Sequence, residues 1–269
     1  LKHRVLEYLV AKHGFTVFAI EANLPECRAI NDYVMDGTGT AAAALAGTYF
    51  WTWDTEEVLA MIEWMRAWNA DPKHKQKVRF VGIDNQTLHV AHANLAAFLA
   101  RVVPDEAAAL LAPTAALGSQ ERGAVAALTP EARAAVAARL VELGQRFDRS
   151  AAAWTRATAR AAVLDAREDL RMLTQGFAVA TDPDGGYQAR DRGMADNVDA
   201  LLARYPRGTR VVVWAHNGHV ARELAAFASL GSHLHKRHGQ DYVVFGFAFG
   251  EGSFQAFTRG EDGGLQEHT

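Results

Sequence analysis

The stretch Thr209-Arg210-Val211-Val212-Val213-Trp214-Ala215-His216-Asn217-Gly218-His219 decides how the rest of the chain is read. Val211 to Trp214 is continuously apolar, the pattern of a strand covered on both faces, as in a parallel sheet. Apolar strands rarely run into two imidazoles for packing reasons alone. The segment from about His219 through Phe227 has helical composition. His216 and His219 are therefore expected on a strand-to-helix turn, at the carboxyl end of a strand, where open α/β sheets place their chemistry.

Working outward, Phe15 to Ile20 follows His13-Gly14 as a short apolar run and ends in Glu21. Val78 to Ile83 is a further strand and ends in Asp84. If these strands are parallel, Glu21, Asp84 and His216 line one edge of the sheet. Between them lie helical patterns. Leu1 to Lys12 places Val5, Leu6 and Leu9 on one face, and Pro25 to Met35 is a helix. Gly37 to Ala46 is a loop or weak helix. Asp54 or Thr55 caps a helix with Val58, Met61, Ile62, Met65 and Trp68 on one stripe, which Asp71-Pro72 ends. Leu88 to Val103 is also helical.

The texture changes at Pro104. From there to about Gln175 the chain is rich in Ala, Arg, Glu and Leu and contains no strand pattern. Thr129-Pro130-Glu131 starts a helix, with Thr as N-cap and Pro in the first turn, and Val136, Leu140, Leu143 and Phe147 form its stripe. A second long helix is expected over Arg149 to Gln175, then a turn at Asp182 to Gly186 and a helix over Arg192 to Tyr205. Tyr242 to Phe249 and Ser253 to Phe257 read as the last strands, and the tail from Arg259 as polar and frayed. The expected class is α/β: a central, mostly parallel sheet flanked by helices, with an inserted helical lobe forming one wall of a cleft. The boundaries that follow are 1–103 for the first part of the core, 104–181 for the helical insertion and 182–269 for the second part. A separate helical bundle over the middle block is the alternative.

The chain has 269 residues, is 49% hydrophobic and carries a formal net charge of -3, with a sequence pI near 6.4. That is ample for a core and makes no electrostatic case for nucleic acid or an anionic membrane. A single cysteine, Cys27, excludes an intrachain disulfide framework. There is no signal-peptide pattern and no apolar run of bilayer length. Residue 1 is Leu, and the first helix has no capping residue before it, which suggests that something upstream is absent.

Each strand-end residue also has a plainer role. Glu21 can serve the helix that follows it, since carboxylates favour helix N-termini. Asp84 can form an Asx-type turn before the helix at Leu88. His216 and His219 can be satisfied structural histidines. His74, His89, His92, His233, His235 and His238 read as solvated or turn residues, the last three as a loose polar loop. As a set, an imidazole near a carboxylate can activate water toward a carbonyl. The sequence has no Gly-x-Ser-x-Gly elbow, no His-Glu-x-x-His or Cys-x-x-Cys pattern and no P-loop. No cofactor is called for.

Several segments resemble the erythromycin esterase family, which also includes proteins annotated in connection with succinoglycan biosynthesis. They are Gly14 through Asn23 around Glu21, Trp64-Met65-Arg66 with Asn69, Phe80-Val81-Gly82-Ile83-Asp84, Arg192 with Met194-Ala195 and Asn197, and Trp214-Ala215-His216-Asn217-Gly218-His219. They occur in the family's order along nearly the whole chain. The resemblance implies metal-independent attack by an activated water on the lactone of 14-membered macrolides, inactivating the antibiotic. By position it implies catalytic roles for Glu21, His216 and His219, and for Lys2 where some members carry arginine. Lysine keeps the charge but not the guanidinium fork. Asp84, Trp214, Asn217 and Arg192 are the expected substrate-binding residues. The family's Gly-Glu-x-x-His-Gly motif, which supplies the histidine thought to be the general base, belongs upstream of the helix holding Lys2. The expectation is that this chain alone is catalytically crippled but still binds ligand.

Two other readings compete. Glu21, His216 and His219 are acceptable ligand types for a divalent metal in a hydrolase. A non-catalytic protein could instead use Trp51, Trp53, Trp214 and the histidines to hold a hydrophobic small molecule or a porphyrin. In each reading the partner is a small molecule.

Overall fold

The computed structural model describes residues 1–121, 123–225, 227–248 and 250–251, and the backbone of strands at 256–259 and 265–268. The protein is α/β. Three strands, β1 (Val17–Asn23), β2 (Arg79–Asp84) and β3 (Val211–Trp214), form a parallel sheet in the order β2-β1-β3. All seven residues of β1 are buried, as a central strand covered on both faces requires. Its side chains alternate: Phe18 and Ile20 pack into one core, while Ala19 packs into the core on the other face.

The first core is closed by α1 (Lys2–His13), α2 (Leu24–Asp36), α3 (Ala41–Ala46) and α4 (Glu56–Ala70). Thr55, not Asp54, caps α4: its side chain accepts a hydrogen bond from the Val58 N–H. Ile62 and Met65 of the expected stripe are fully buried. The second core packs α9 (Tyr187–Arg204) and α11 (Leu230–His238) on the opposite face. A third core joins α5 (His89–Val102), α6 (Pro104–Leu111), α7 (Pro130–Ala157) and α8 (Arg160–Thr181) around Leu140, Leu143 and Phe147. Thr129 caps α7 through its side chain, with Pro130 in the first turn.

Register explains the sheet's carboxyl edge. Ile20 pairs with Gly82 and Asn23 with Asp84, so Glu21 and Ala22 on β1 face the single residue Ile83 on β2. This is a bulge, a device that re-aims side chains at strand ends. Gly82 permits it, because a Cβ there would lie 2.5 Å from the carbonyl oxygens of Ala22 and Asn23.

Several expectations are corrected. The helix expected over Arg149 to Gln175 is broken at Thr158-Ala159, where Thr158 leaves helical geometry and its hydroxyl bonds back to the Trp154 carbonyl. The helix expected from His219 to Phe227 is only the short α10 (Asn217–Val220). Beyond it the chain folds back so that Gly231, in α11, abuts the carbonyls of Val220 and Ala221, and Ser229 bonds to Ala221. His233, His235 and His238 consequently lie on α11, not in a loop. Tyr242 to Ala248 is not a strand, and Phe249 lies outside the described residues. Residues 253–255 of the other expected terminal strand also lie outside them. The tail is not frayed throughout: β4 (Ala256–Arg259) pairs antiparallel with β5 (Leu265–His268). Among the described residues no helix is long and apolar enough to cross a membrane.

Candidate active site

The three strand ends do meet, and a residue from α9 joins them. Arg190, in the first turns of α9, bonds through Nε to Asp84 Oδ1 at 2.9 Å and through Nη2 to Asp84 Oδ2 at 2.7 Å. The same Nη2 is 2.7 Å from Glu21 Oε1. Nη1 is 3.0 Å from His219 Nε2. Asp84 is fully buried and Glu21 is 9% exposed. A forked guanidinium is the group that can hold two carboxylates and still face an imidazole.

Glu21 is held at both oxygens. Oε1 faces Arg190 and lies 3.3 Å from His219 Nε2, while Oε2 accepts the backbone N–H of His216 at 2.8 Å. Burial pushes its carboxyl up, but the bonds from His219 and the His216 N–H, with the Arg190 charge, outweigh it and hold the pKa at about 2. Its backbone is held as well, since Trp53 Nε1 donates to the Glu21 carbonyl at 2.7 Å.

His219 is oriented from its other nitrogen. Nδ1 lies 2.9 Å from both oxygens of Asp191, a fully buried residue that also accepts the Leu230 N–H at 2.7 Å. Burial works against the imidazolium, but the Asp191 and Glu21 carboxylates raise its pKa to about 9. The imidazolium directs Nε2–H at Glu21; a neutral ring would offer the Nε2 lone pair to Arg190. The two partners thus suit the two protonation states.

His216 is exposed, and its Nδ1 accepts the Gly218 N–H at 3.1 Å as the cap of α10. When the ring is neutral its proton is therefore on Nε2. Lys2 lies with Nζ 4.6 Å from the centroid of Trp214 and 5.5 Å from that of Phe247. Burial lowers its pKa, against the pull of Glu21. Trp214 packs edge-on against Trp53 at 5.5 Å. Asn217 is exposed and spans the backbone of Phe247, donating to its carbonyl at 2.6 Å and accepting its N–H at 3.3 Å.

Arg192 is not brought to this cluster. It is exposed, two positions past Arg190, which turns it to the other side of α9. Arg190 and Asp191 are the residues that sequence reasoning missed. The signal was their place: an Arg-Asp pair just after the Asp182 to Gly186 turn, in the opening of a helix whose start was set five residues too late.

The set does not converge as a metal ligand group. The His216 and His219 ring centroids are 6.3 Å apart, both His219 nitrogens are engaged, and Arg190 places a cation against Glu21. Among the described residues no three His, Cys, Asp or Glu side chains are grouped to hold a metal ion.

The model of the family described as erythromycin esterase matches residues 10–269. The chain belongs to the erythromycin esterase family. Three solved structures share the fold. A Bacillus cereus protein is 24% identical, with a TM-score of 0.81 over 98% of this chain and 65% of its own. A succinoglycan biosynthesis protein is 25% identical, with a TM-score of 0.71 over 90% of this chain and 60% of its own. An erythromycin esterase mutant in its open conformation is 18% identical, with a TM-score of 0.67 over 88% of this chain and 63% of its own. The chain thus spans less than two thirds of the length of each of these three structures.

Proposed function

We propose that the chain is a carboxylic ester hydrolase that opens the lactone ring of a macrolide antibiotic, or cleaves a related ester, by attack of water. The observation that carries this reading is the Arg190–Glu21–His219–Asp191 cluster at the carboxyl end of three parallel strands, in a member of this family. The helical block 104–181 would act as a cap over a core formed by 1–103 and 182–269.

The residues divide the work by charge. Water adds to the ester carbonyl carbon, and the carbonyl electron pair moves onto oxygen. The resulting oxyanion is stabilised by the cationic face of His219 and Arg190, with the Nε2–H of His216 and the Lys2 charge at the rim. Collapse breaks the bond to the leaving oxygen, which takes the Nε2 proton of His219. Arg190 then donates to the vacated lone pair, and His219 regains the proton that the water loses. The products are one carboxylic acid and one alcohol. Glu21, ionised and held at both oxygens, keeps the two cations in register and does not itself act as the base. His219, with a pKa of about 9, enters the cycle as an acid at neutral pH.

The test is a mass assay of erythromycin for the gain of one water. It uses the 269-residue chain and a form extended before Leu1 by a Gly-Glu-x-x-His-Gly segment. Turnover by either form, lost in His219→Gln, supports the reading. No turnover by either folded form removes macrolides as the substrate.

A further inference from the structure

The charged cluster is rich in donors and poor in free acceptors. Arg190, the His219 imidazolium, the Nε2–H of His216 and the Lys2 ammonium all offer protons. The carboxylate oxygens are already engaged. Glu21 accepts from Arg190 at one oxygen and from the His216 N–H at the other. Asp84 Oδ1 takes Arg190 Nε and the Asn85 N–H, and Asp191 takes His219 and the Leu230 N–H. Water that attacks a carbonyl directs a lone pair at carbon and its protons at acceptors. A site made of donors alone would turn it the other way.

Gln86, in the loop between β2 and α5, supplies the missing acceptor. Its Nε2 donates to Asp84 Oδ2 at 2.7 Å, the same oxygen that holds Arg190 Nη2 at 2.7 Å. The amide and the guanidinium therefore meet on one atom of the cluster. Asp84, forked to Arg190, accepts from this amide, so the N–H end faces the carboxylate and Oε1 faces away from it. Gln86 is exposed, and among the described residues no donor is bonded to its Oε1. Its backbone is fixed as well. Asn23, fully buried, accepts the Gln86 N–H at 2.9 Å and the Thr87 N–H at 3.3 Å through Oδ1.

We infer that Gln86 is a catalytic residue whose Oε1 holds the attacking water beside Arg190 and His219. The inference rests on the hydrolase reading and deepens it, by naming the group that orients the nucleophile. A carboxamide suits the task, since it accepts from water without adding charge next to Asp84 and Glu21. Phosphoryl-transfer enzymes use a glutamine in the same way. One water proton is held on Oε1 while the oxygen lone pair bonds to the ester carbon and the carbonyl pair moves onto oxygen. The proton that the water gives up passes to His219 once that ring has protonated the leaving oxygen.

Two variants separate this role from a merely structural one. Gln86→Met removes both donor and acceptor. Gln86→Lys keeps a donor for Asp84 but offers no acceptor. Erythromycin hydrolysis is followed with the form extended before Leu1 and with its variants. Each variant should lose about a hundredfold in kcat, with KM unchanged, because the contact removed is to water and not to the ester. Recovery of kcat by Gln86→Lys would make Gln86 a tether for Asp84 and overturn the inference. Full activity of Gln86→Met, or a loss that falls on KM instead of kcat, would overturn it too.

A crystal structure of the 269-residue chain reads the same site without catalysis. A water is expected about 2.8 Å from Gln86 Oε1, on the side of Arg190 and His219, and missing in Gln86→Met. No water there overturns the inference whatever the rates. A water there, with no hydrolysis of erythromycin by any form, removes macrolides as the substrate and still supports Gln86 as the holder of the water.

Discussion

At the residue scale, Asp191 and Arg190 determine what His219 can do. Asp191→Asn keeps the shape of the contact but removes its charge. The His219 pKa should then fall from about 9 toward its ordinary 6.5, taking the alkaline limb of kcat/KM with it. Titration of the His219 ring by NMR in both proteins checks this. The stability contribution has a matching sign. The raised imidazolium stabilises the fold fully below pH 6.5 and loses that contribution as pH rises through about 9. Removing Arg190 altogether strands the buried Asp84 carboxylate, so Arg190→Met should cost about 3–5 kcal/mol in a urea titration. A loss near zero would show that Asp84 is satisfied without it.

Glu21, Asp84 and His216 could be singled out because each stands at the end of an apolar strand pattern, and His219 because it follows His216 on the turn after β3; the strand was the strong signal. Arg190 was not, because only the fold decides which arginine of a helix points at the sheet. Arg192 and Arg190 differ by two positions, and nothing in the local sequence separates them.

At the scale of elements, the bulge between β1 and β2 is the feature that aims Glu21. Gly82→Ala would drive a methyl group into the Ala22 and Asn23 carbonyls. It should destabilise the protein by about 1–3 kcal/mol and reduce activity beyond what partial unfolding explains. Urea titration beside activity per folded molecule separates the two effects. An unchanged protein would mean that the register at Glu21 is set elsewhere. The three parallel strands, α4 and the capped start of α7 were readable from pattern and caps alone. The segment after His219 was not. Its helical composition is overridden by tertiary contacts: Asp191 takes the Leu230 N–H, and Ser229 ties back to Ala221. The apolar run Tyr242 to Ala248 was likewise no guarantee of a ladder. Instead Asn217 holds Phe247, and Tyr242 bonds the Val220 carbonyl at 2.8 Å.

At the scale of the whole molecule, three apolar cores meet at the sheet, and charged groups are buried where they join. Glu26 is raised to about 7 and Asp169 to about 6, in both cases mainly by burial. A carboxyl with a raised folded pKa supports the fold below its unfolded pKa and loses that support as pH rises through the folded value. Glu26 should therefore make stability fall between about pH 4.5 and 7. Glu26→Gln should flatten that slope, which urea midpoints at pH 5 and pH 8 would show. An unchanged slope would mean that Glu26 remains ionised in the fold. Glu21 acts in the opposite sense, with its support lost only as pH falls through about 2.

The central claim is that the charged cluster at the sheet's carboxyl end hydrolyses an ester, with His219 as its acid. The most direct measurement is ring opening of erythromycin, followed by mass, with the form extended before Leu1 by the Gly-Glu-x-x-His-Gly segment as parent and its His219→Gln variant, at equal folded concentration and at pH 7. The account predicts a product one water heavier from the parent and at least a hundredfold slower formation by His219→Gln, with erythromycin binding retained. Equal rates for the two proteins would contradict it.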